Sequence, residues 1–287
     1  MRIVRIFVVA IGFLAASLPL LWMGISSIKH RDATISQHPK IVPVPAPVDS
    51  PSSPFFEATV EAYRGLSEVH AGAQHSFWHH LGNSAIVGVL STIASVLLGT
   101  ACAYGFSRFE VRGAKDWLFF VLSTRFMPPL AVVVPVLLMY RRLDLQGTHA
   151  GLALLYTVFN LSLSVWLMKG FLDEIPRAYE EAALVDGWSR GQAFLRVVLP
   201  EARTGMAVTA VFCLISAWNE YGFAMTLNSS GAVTVPAYFA GLQGNIEGMP
   251  WPQIAAGALL FVLPIVAFTF AVRRHLLRGM TFGTIKQ

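Results

Sequence analysis

The residues of greatest chemical interest are charged side chains that lie inside long apolar stretches of the sequence. Glu220 follows Asn219 in one such stretch, and Arg125 lies in another, just before a Met-Pro-Pro sequence. A charge inside a hydrocarbon layer costs about 2.5 kcal/mol or more unless it meets water or an opposite charge. Two interpretations are open: Arg125 and Glu220 pair with each other, or they line a path for a polar solute.

Polar side chains in a neighbouring apolar stretch are further candidates for lining such a path. Asn160, Ser162 and Ser164 alternate there, with Tyr156 and Trp166 close by. Such hydroxyl, amide and aromatic groups can hold a sugar, although Ser and Asn also hydrogen-bond helices to each other in membranes. The candidate pathway-lining residues are Arg125, Tyr156, Asn160, Asn219 and Glu220.

No catalytic or metal-binding pattern accompanies these residues. The sequence contains no G-x-x-x-x-G-K-[ST], H-E-x-x-H or G-x-S-x-G motif. His75 and His79 are one helical turn apart, but HSFWHH is more typical of an interfacial helix anchored by Phe77 and Trp78. We therefore expect no catalytic residues, no metal and no cofactor bound by this chain. If ATP drives this protein, a separate polypeptide hydrolyses it.

The composition is that of a membrane protein. Hydrophobic residues make up 55% of the chain, charged residues 13%, and the mean hydropathy is +0.58. Soluble domains average about 25% charged residues. The formal net charge of +5 does not indicate nucleic acid, because the basic residues flank apolar segments as a topology signal does. The expected partner is a lipid membrane.

Six apolar segments are long enough to cross a hydrocarbon core, which needs about 20 helical residues. They cover residues 6–28, 83–106, 117–140, 149–168, 204–227 and 253–272. The predicted fold class is an all-α integral membrane protein with about six transmembrane helices. The first segment follows Arg2 and Arg5, as a signal peptide would, but its apolar run exceeds about 15 residues, which favours a retained anchor.

The distribution of Lys and Arg predicts the orientation in the membrane. With the N-terminus inside, fourteen of these residues lie in cytoplasmic segments and six in outer segments. Arg141 and Arg142 oppose the rule, but the total favours a multi-pass inner-membrane protein with both termini cytoplasmic. The first outer loop, residues 29–80, contains a proline-rich run from Pro39 to Pro54 that is either a flexible linker or a strap.

A polar stretch between the fourth and fifth segments predicts a short helix. Pro176 suits the first turn, and Glu180 and Glu181 lie near the positive end of the helix dipole. Gly187 ends this helix, because glycine adopts a left-handed C-cap conformation at little cost.

A second short helix follows in the same stretch. Ser189 and Gln192 have the spacing of a capping box. Neither helix is long enough to be stable alone in water, and Ala182, Ala183 and Gly187 present little side chain to an approaching protein. The stretch therefore has the properties of a docking element.

These residues resemble the EAA loop of ABC-importer permeases. Glu181-Ala182-Ala183 is followed after three residues by Gly187, and the pattern closes with Leu199 and Pro200. In that family the loop forms coupling helices that fit into a cleft on a cytoplasmic ATPase. The resemblance implies ATPase-coupling roles for Glu181, Ala182, Ala183, Asp186, Gly187, Val197 (at the usual Ile), Leu199 and Pro200.

Further segments resemble the maltose-type carbohydrate permeases, and the resemblance covers about residues 77–287. They are the Asn83-Ser84 pair, AYGFSRF at 103–109, MPPLAVVVPV at 127–136, WNEYGFAMTL at 218–227 and the tail RGMTFGTIKQ at 278–287. The resemblance implies a type I importer bundle that moves a sugar or polyol by alternating access. It implies as partners a second homologous permease, which we expect to form a heterodimer with this chain, two ABC ATPase subunits and an extracytoplasmic substrate-binding protein.

The predicted organisation has four parts: an anchor at 1–28, the proline-rich loop at 29–80, the permease domain at 81–276 with its coupling loop at 174–200, and a cytoplasmic tail at 277–287. The expanded first loop departs from the family pattern. The alternative function is a self-sufficient secondary transporter of a small polar solute, which would carry inverted repeats and broken helices in both halves. Only the third apolar segment has a proline pair, Pro128-Pro129, and these two prolines are expected to break its helix.

Overall fold

Long apolar helices make up most of the computed structural model, which describes residues 2–45, 53–69, 74–228, 231–242 and 248–281. Four helices are long and apolar enough to cross a membrane, or up to six spans if each of two bent helix pairs counts as one. The predicted helical membrane fold is confirmed. The sequence did not predict the short parallel ribbon formed by strands β1 (Val42–Val44) and β2 (Phe55–Glu57).

Residues 1–81 and 238–264 form one compact unit. Its helices are α1 (Arg2–Ser27), α2 (Arg31–Thr34), α3 (Glu61–Gly65), the first turn of α4 (Phe77–Arg108), the end of α13 (Val235–Gly241) and the first half of α14 (Trp251–Thr281).

The described part of the predicted first outer loop packs against the end of α1. Lys29 bridges to Ala58 beside the ribbon, and its ammonium group lies over the rings of Trp22 and Phe56, 4.6 and 5.3 Å from their centroids. Burial lowers the pKa of Lys29, because a desolvated ammonium group favours its neutral form. Residues 46–52 of the proline-rich run lie outside the described residues.

The HSFWHH segment does not form a helix of its own, so that prediction was wrong. Helix α4 begins at Phe77 and continues without interruption to Arg108, because no proline interrupts this stretch. Phe77 is fully buried and stacks on Phe239, with ring centroids 6.0 Å apart.

Residues 82–237 and 265–287 form the second unit. After most of α4 its helices are α5 (Ala114–Ser123), α6 (Pro129–Arg142), α7 (His149–Glu174), α8 (Arg177–Val185), α9 (Arg190–Ala193), α10 (Leu199–Glu201), α11 (Arg203–Trp218) and α12 (Gly222–Leu227). A 3₁₀ turn, Thr124–Phe126, follows α5, and a π-helical turn, Phe194–Val198, joins α9 to α10.

The predicted break in the third apolar segment is confirmed. The helices on either side of it meet at 90°. Pro129 takes the first position of α6, where its missing N–H costs nothing, while neither Pro128 nor Pro129 can donate a hydrogen bond to continue the preceding helix.

The fifth apolar segment is also broken, although the sequence predicted one continuous helix. Helix α11 ends at Trp218, where the Asn219 side chain donates to the carbonyl of Ile215 at 2.9 Å. The Glu220 carboxylate accepts from the backbone N–H groups of Phe223 and Ala224, at 2.9 and 3.1 Å, and so caps α12. Side chains thus provide hydrogen-bond partners for free backbone groups at both helix ends. The break is therefore stable within an apolar stretch.

Helix α7 packs closely against its neighbours at glycines. A Cβ atom added to Gly99 of α4 would lie 2.5 Å from Cβ of Ser164, and one added to Gly205 of α11 would lie 2.5 Å from the ring of Phe171. Helix α7 is therefore held between α4 and α11.

Candidate functional site

Helix α8, the predicted docking helix, ends as the sequence predicts. Gly187 has φ +84° and donates to the carbonyl of Leu184 at 3.1 Å, while Trp188 donates to the carbonyl of Ala183 at 3.0 Å. These two bonds form a Schellman motif, in which the left-handed residue is cheap only as glycine. Pro176 is the N-cap residue, one position before the first turn, because its ψ of 132° is extended.

The two faces of α8 differ from the prediction at one residue. Glu181, Ala182 and Gly187 are exposed, but Ala183 is only 7% exposed. Ala183 lies one turn from the buried Glu180, so both face the protein. The prediction that Ala183 forms part of an open, side-chain-poor surface was therefore wrong.

The segment after Gly187 packs against α8. The predicted capping box is present: the N–H of Gln192 donates to the Ser189 hydroxyl at 3.3 Å, and the N–H of Ser189 donates to the Gln192 side chain at 2.9 Å. Val197 and Leu199 are half-buried, and Pro200 is exposed. Beside them Val198 is fully buried in an apolar cluster with Tyr104 of α4.

A pocket of about 190 Å³ lies where α7 faces the two helix breaks. The Tyr156 hydroxyl donates to the Glu220 carboxylate at 2.7 Å across this site. Asn160, one turn further along α7, is 2% exposed and donates to the carbonyl of Cys213 at 3.2 Å. Its Oδ1 has no hydrogen-bond partner within the described part of the chain. The pocket is lined by Arg125, Tyr156, Phe159, Asn160, Ser216, Ala217, Glu220 and Phe223.

Four of the five predicted pathway residues thus meet at one pocket. The fifth, Asn219, is not among the lining residues and instead bonds to its own helix. The sequence analysis missed Phe159 and Phe223 as lining residues. Phe159 lies about one helical turn after Tyr156, and Phe223 is three residues after Glu220, so helical spacing was the available signal.

The structure also shows whether Arg125 and Glu220 pair. Over the described ranges no ion pair joins Arg125 to Glu220. The Glu220 carboxylate is occupied by Tyr156 and by the start of α12, and Arg125 is exposed in the 3₁₀ turn. The pairing interpretation was therefore wrong, because backbone and hydroxyl donors already satisfy the carboxylate.

Comparison with known proteins agrees with this arrangement. Residues 95–282 match the family described as binding-protein-dependent transport system inner membrane component. The chain is 31% identical over 268 residues to the probable ABC transporter permease protein y4oR of Sinorhizobium fredii, covering 93% of this chain and 90% of that protein. It is also 31% identical over 273 residues to the trehalose transport system permease protein SugB of Mycobacterium tuberculosis, covering 94% and 93%.

A solved structure has the same fold. It is the crystal structure of a bacterial ABC transporter involved in the import of the acidic polysaccharide alginate, one chain of which aligns with a TM-score of 0.73 and 22% identity over 95% of each chain. The predicted type I importer bundle is confirmed by this likeness, and the family match excludes the secondary-transporter alternative. The chain belongs to the family of binding-protein-dependent transport system inner membrane components, the permease subunits of ABC importers.

Proposed function

We propose that this permease carries a sugar or polyol across the inner membrane and couples that movement to ATP hydrolysis on separate subunits. The observation that carries the proposal is a docking helix, α8, on the same structural unit as a polar and aromatic pocket. The similarity to a trehalose permease supports the class of solute. The chain itself binds no cofactor in this proposal, and the ATP is held by its partners.

The exposed face of α8 is the surface we assign to the ATPase. Val185 is 88% exposed, which is unusual for an apolar side chain on a helix with a buried opposite face. Glu181, Ala182, Asp186 and Gly187 surround it and are exposed. Ala182 and Gly187 are small and allow the ATPase to approach closely, and Val185 supplies apolar surface to the ATPase cleft. In this proposal the buried Ala183 anchors α8 to the protein, and Val197, Leu199 and Pro200 belong to the segment that follows and supports it.

The pocket is the part we assign to the solute. Tyr156, Asn160 and Arg125 offer a hydroxyl, an amide oxygen and a guanidinium group. The rings of Phe159 and Phe223 lie 4.9 Å apart and add an aromatic wall. Hydrogen-bonding groups beside aromatic faces suit a hydroxyl-rich ring. Glu220 contributes by accepting hydrogen bonds from the first N–H groups of α12. Asn219 contributes only by its hydrogen bond at the end of α11.

The assembly that we propose contains a second, homologous permease, two ABC ATPase subunits and an extracytoplasmic binding protein. Both termini face the cytoplasm, as the excess of Lys and Arg in those segments favours. The domain boundaries at residues 28, 80 and 276 belong to the same proposal. ATP binding would close the ATPases, move the docking helices and open the bundle outward to receive solute by alternating access.

The test combines ligand binding with uptake. The partner binding protein is screened against mono- and disaccharides and polyols, and the retained compound is used for uptake into vesicles that hold the full complex. We expect ATP-dependent uptake that falls in Tyr156→Phe while the folded protein level holds. Retention of no sugar or polyol would overturn the solute class, and uptake without ATP would overturn the coupling.

A further inference from the structure

The end of α4 and the docking helix α8 are joined by a buried ion pair. Arg108 is the last residue of α4, and its Nε lies 3.1 Å from Oε2 of Glu180. The side chains of Arg108 and Glu180 are 5% and 7% exposed. The other carboxylate oxygen of Glu180 accepts from the hydroxyl of Tyr104, one turn earlier on α4. Both oxygens of one α8 carboxylate are therefore held by α4.

Three further contacts hold the same end of α4 to the chain that enters α8. A second guanidinium nitrogen of Arg108 donates to the carbonyl of Ile175 at 3.0 Å. In return, Arg177 donates to the carbonyl of Ser107 at 2.9 Å, and the Ser107 hydroxyl donates to Asp173 at 2.7 Å. The last carbonyls of a helix have no partner within it, so Arg177 supplies the partner that the Ser107 carbonyl of α4 lacks.

Apolar packing adds contact area between α4 and the segment after α8, whereas the ion pair fixes the position of α8 relative to α4. Tyr104 packs on Phe194 with ring centroids 4.4 Å apart, and Val198 belongs to the same cluster. Apolar surfaces can slide over each other at small cost, because the hydrophobic effect is non-directional. A buried Arg–Glu pair cannot slide, because separation leaves two uncompensated charges away from water.

We propose that Glu180 and Arg108 are positioning residues that fix the docking helix to α4, so that displacement of α8 by the ATPase is passed directly to the second membrane span. This inference rests on the docking role proposed above for α8. Without the pair, α8 would still follow the end of α7 through the chain, but only the remaining hydrogen bonds and apolar packing would draw α4 with it. The expected defect is a loss of coupling, with the ATPase still bound.

The experiment uses the full complex in vesicles and measures solute moved per ATP hydrolysed, with ATPase association checked by co-purification. We expect Glu180→Gln and Arg108→Gln to lower this ratio about tenfold or more, since each breaks a buried ion pair. The reciprocal exchange, Arg108→Glu with Glu180→Arg, should restore part of the ratio. The matched control is Glu174→Gln, an exposed carboxylate at the end of α7, which should leave the ratio unchanged.

Tyr104→Phe keeps the inference testable if the charge variants do not fold. It removes only the hydroxyl that donates to Glu180 and keeps the ring on Phe194. We expect a smaller, about threefold, loss in the transport-to-hydrolysis ratio, which corresponds to the lower end of the net contribution of one hydrogen bond. A normal ratio in folded Tyr104→Phe and Glu180→Gln would overturn the positioning role. If Gly187→Val is also without effect, the docking role of α8 itself fails.

Discussion

The hydroxyl of Tyr156 donates a hydrogen bond to the Glu220 carboxylate at 2.7 Å, and this bond joins the middle of α7 to the break between α11 and α12. Glu220 also accepts from the N–H groups of Phe223 and Ala224. One carboxylate thus serves as a helix cap, an interhelical contact and part of the pocket wall. A charged residue inside an apolar stretch is stable here because protein donors replace its water.

Glu220→Ala should destabilise the permease by about 1–3 kcal/mol, because the N–H groups of Phe223 and Ala224 lose their acceptor. Arg125→Ala should act separately, since Arg125 makes no ion pair with Glu220 in the described chain. The double variant should therefore be additive within about 0.5 kcal/mol. Thermal unfolding in detergent measures the stability of the two single variants and of the double variant. A coupling energy well above that margin would restore the pairing interpretation.

Gly187→Val should uncouple the transporter and leave the membrane bundle intact. The left-handed φ of Gly187 makes any β-branched residue strained by about 1–2 kcal/mol, and the change lies at the exposed end of α8. We expect normal membrane insertion and normal pairing with the second permease. The ATPase subunits should bind weakly, or should hydrolyse ATP at a rate that does not respond to the loaded binding protein. Gly187→Asn is the control, since Asn tolerates this conformation. Substrate-stimulated ATPase activity is measured, and a normal value in Gly187→Val would falsify the coupling role.

Gly99→Ala should lower the unfolding midpoint, because the new Cβ would overlap Ser164 of α7 and lie 3.1 Å from its backbone carbonyl carbon. Overpacking of this kind costs about 1–3 kcal/mol. Gly105→Ala, two turns later on the same helix, meets no atom within 4 Å among the described residues and should be neutral or stabilising by about 0.5–1 kcal/mol. Equal midpoints for the two variants would show that α4 and α7 do not approach closely at Gly99.

A reporter that is active only in the cytoplasm tests the proposed orientation. Fused after Gln287 or inserted near Gly113, it should be active, because these segments belong to the Lys- and Arg-rich side. Inserted between Pro39 and Pro54, it should be silent. Activity in that loop would mean that α1 is misplaced or inverted. An alkaline phosphatase fusion, active only outside, should give the reverse pattern.

Local features of this protein were predictable from the sequence. The apolar segments depend only on the composition of about 20 consecutive residues. The Pro128-Pro129 break, the Gly187 C-cap and the Ser189 capping box each depend on residues within about four positions of one another. Backbone sterics and helix-end hydrogen bonds act over that range, so the residue types alone are sufficient.

Partners between helices were decided only by the tertiary structure. Glu220 bonds to Tyr156, 64 residues away, and not to Arg125, while Glu180 meets Arg108, 72 residues away. Packing likewise decided which of Ala182 and Ala183 faces inward. It also decided that the fifth span breaks at Asn219 and Glu220. A sequence states which groups need a partner, but the choice depends on which helices meet and at what register, and that is set by the close packing of side chains from distant parts of the chain.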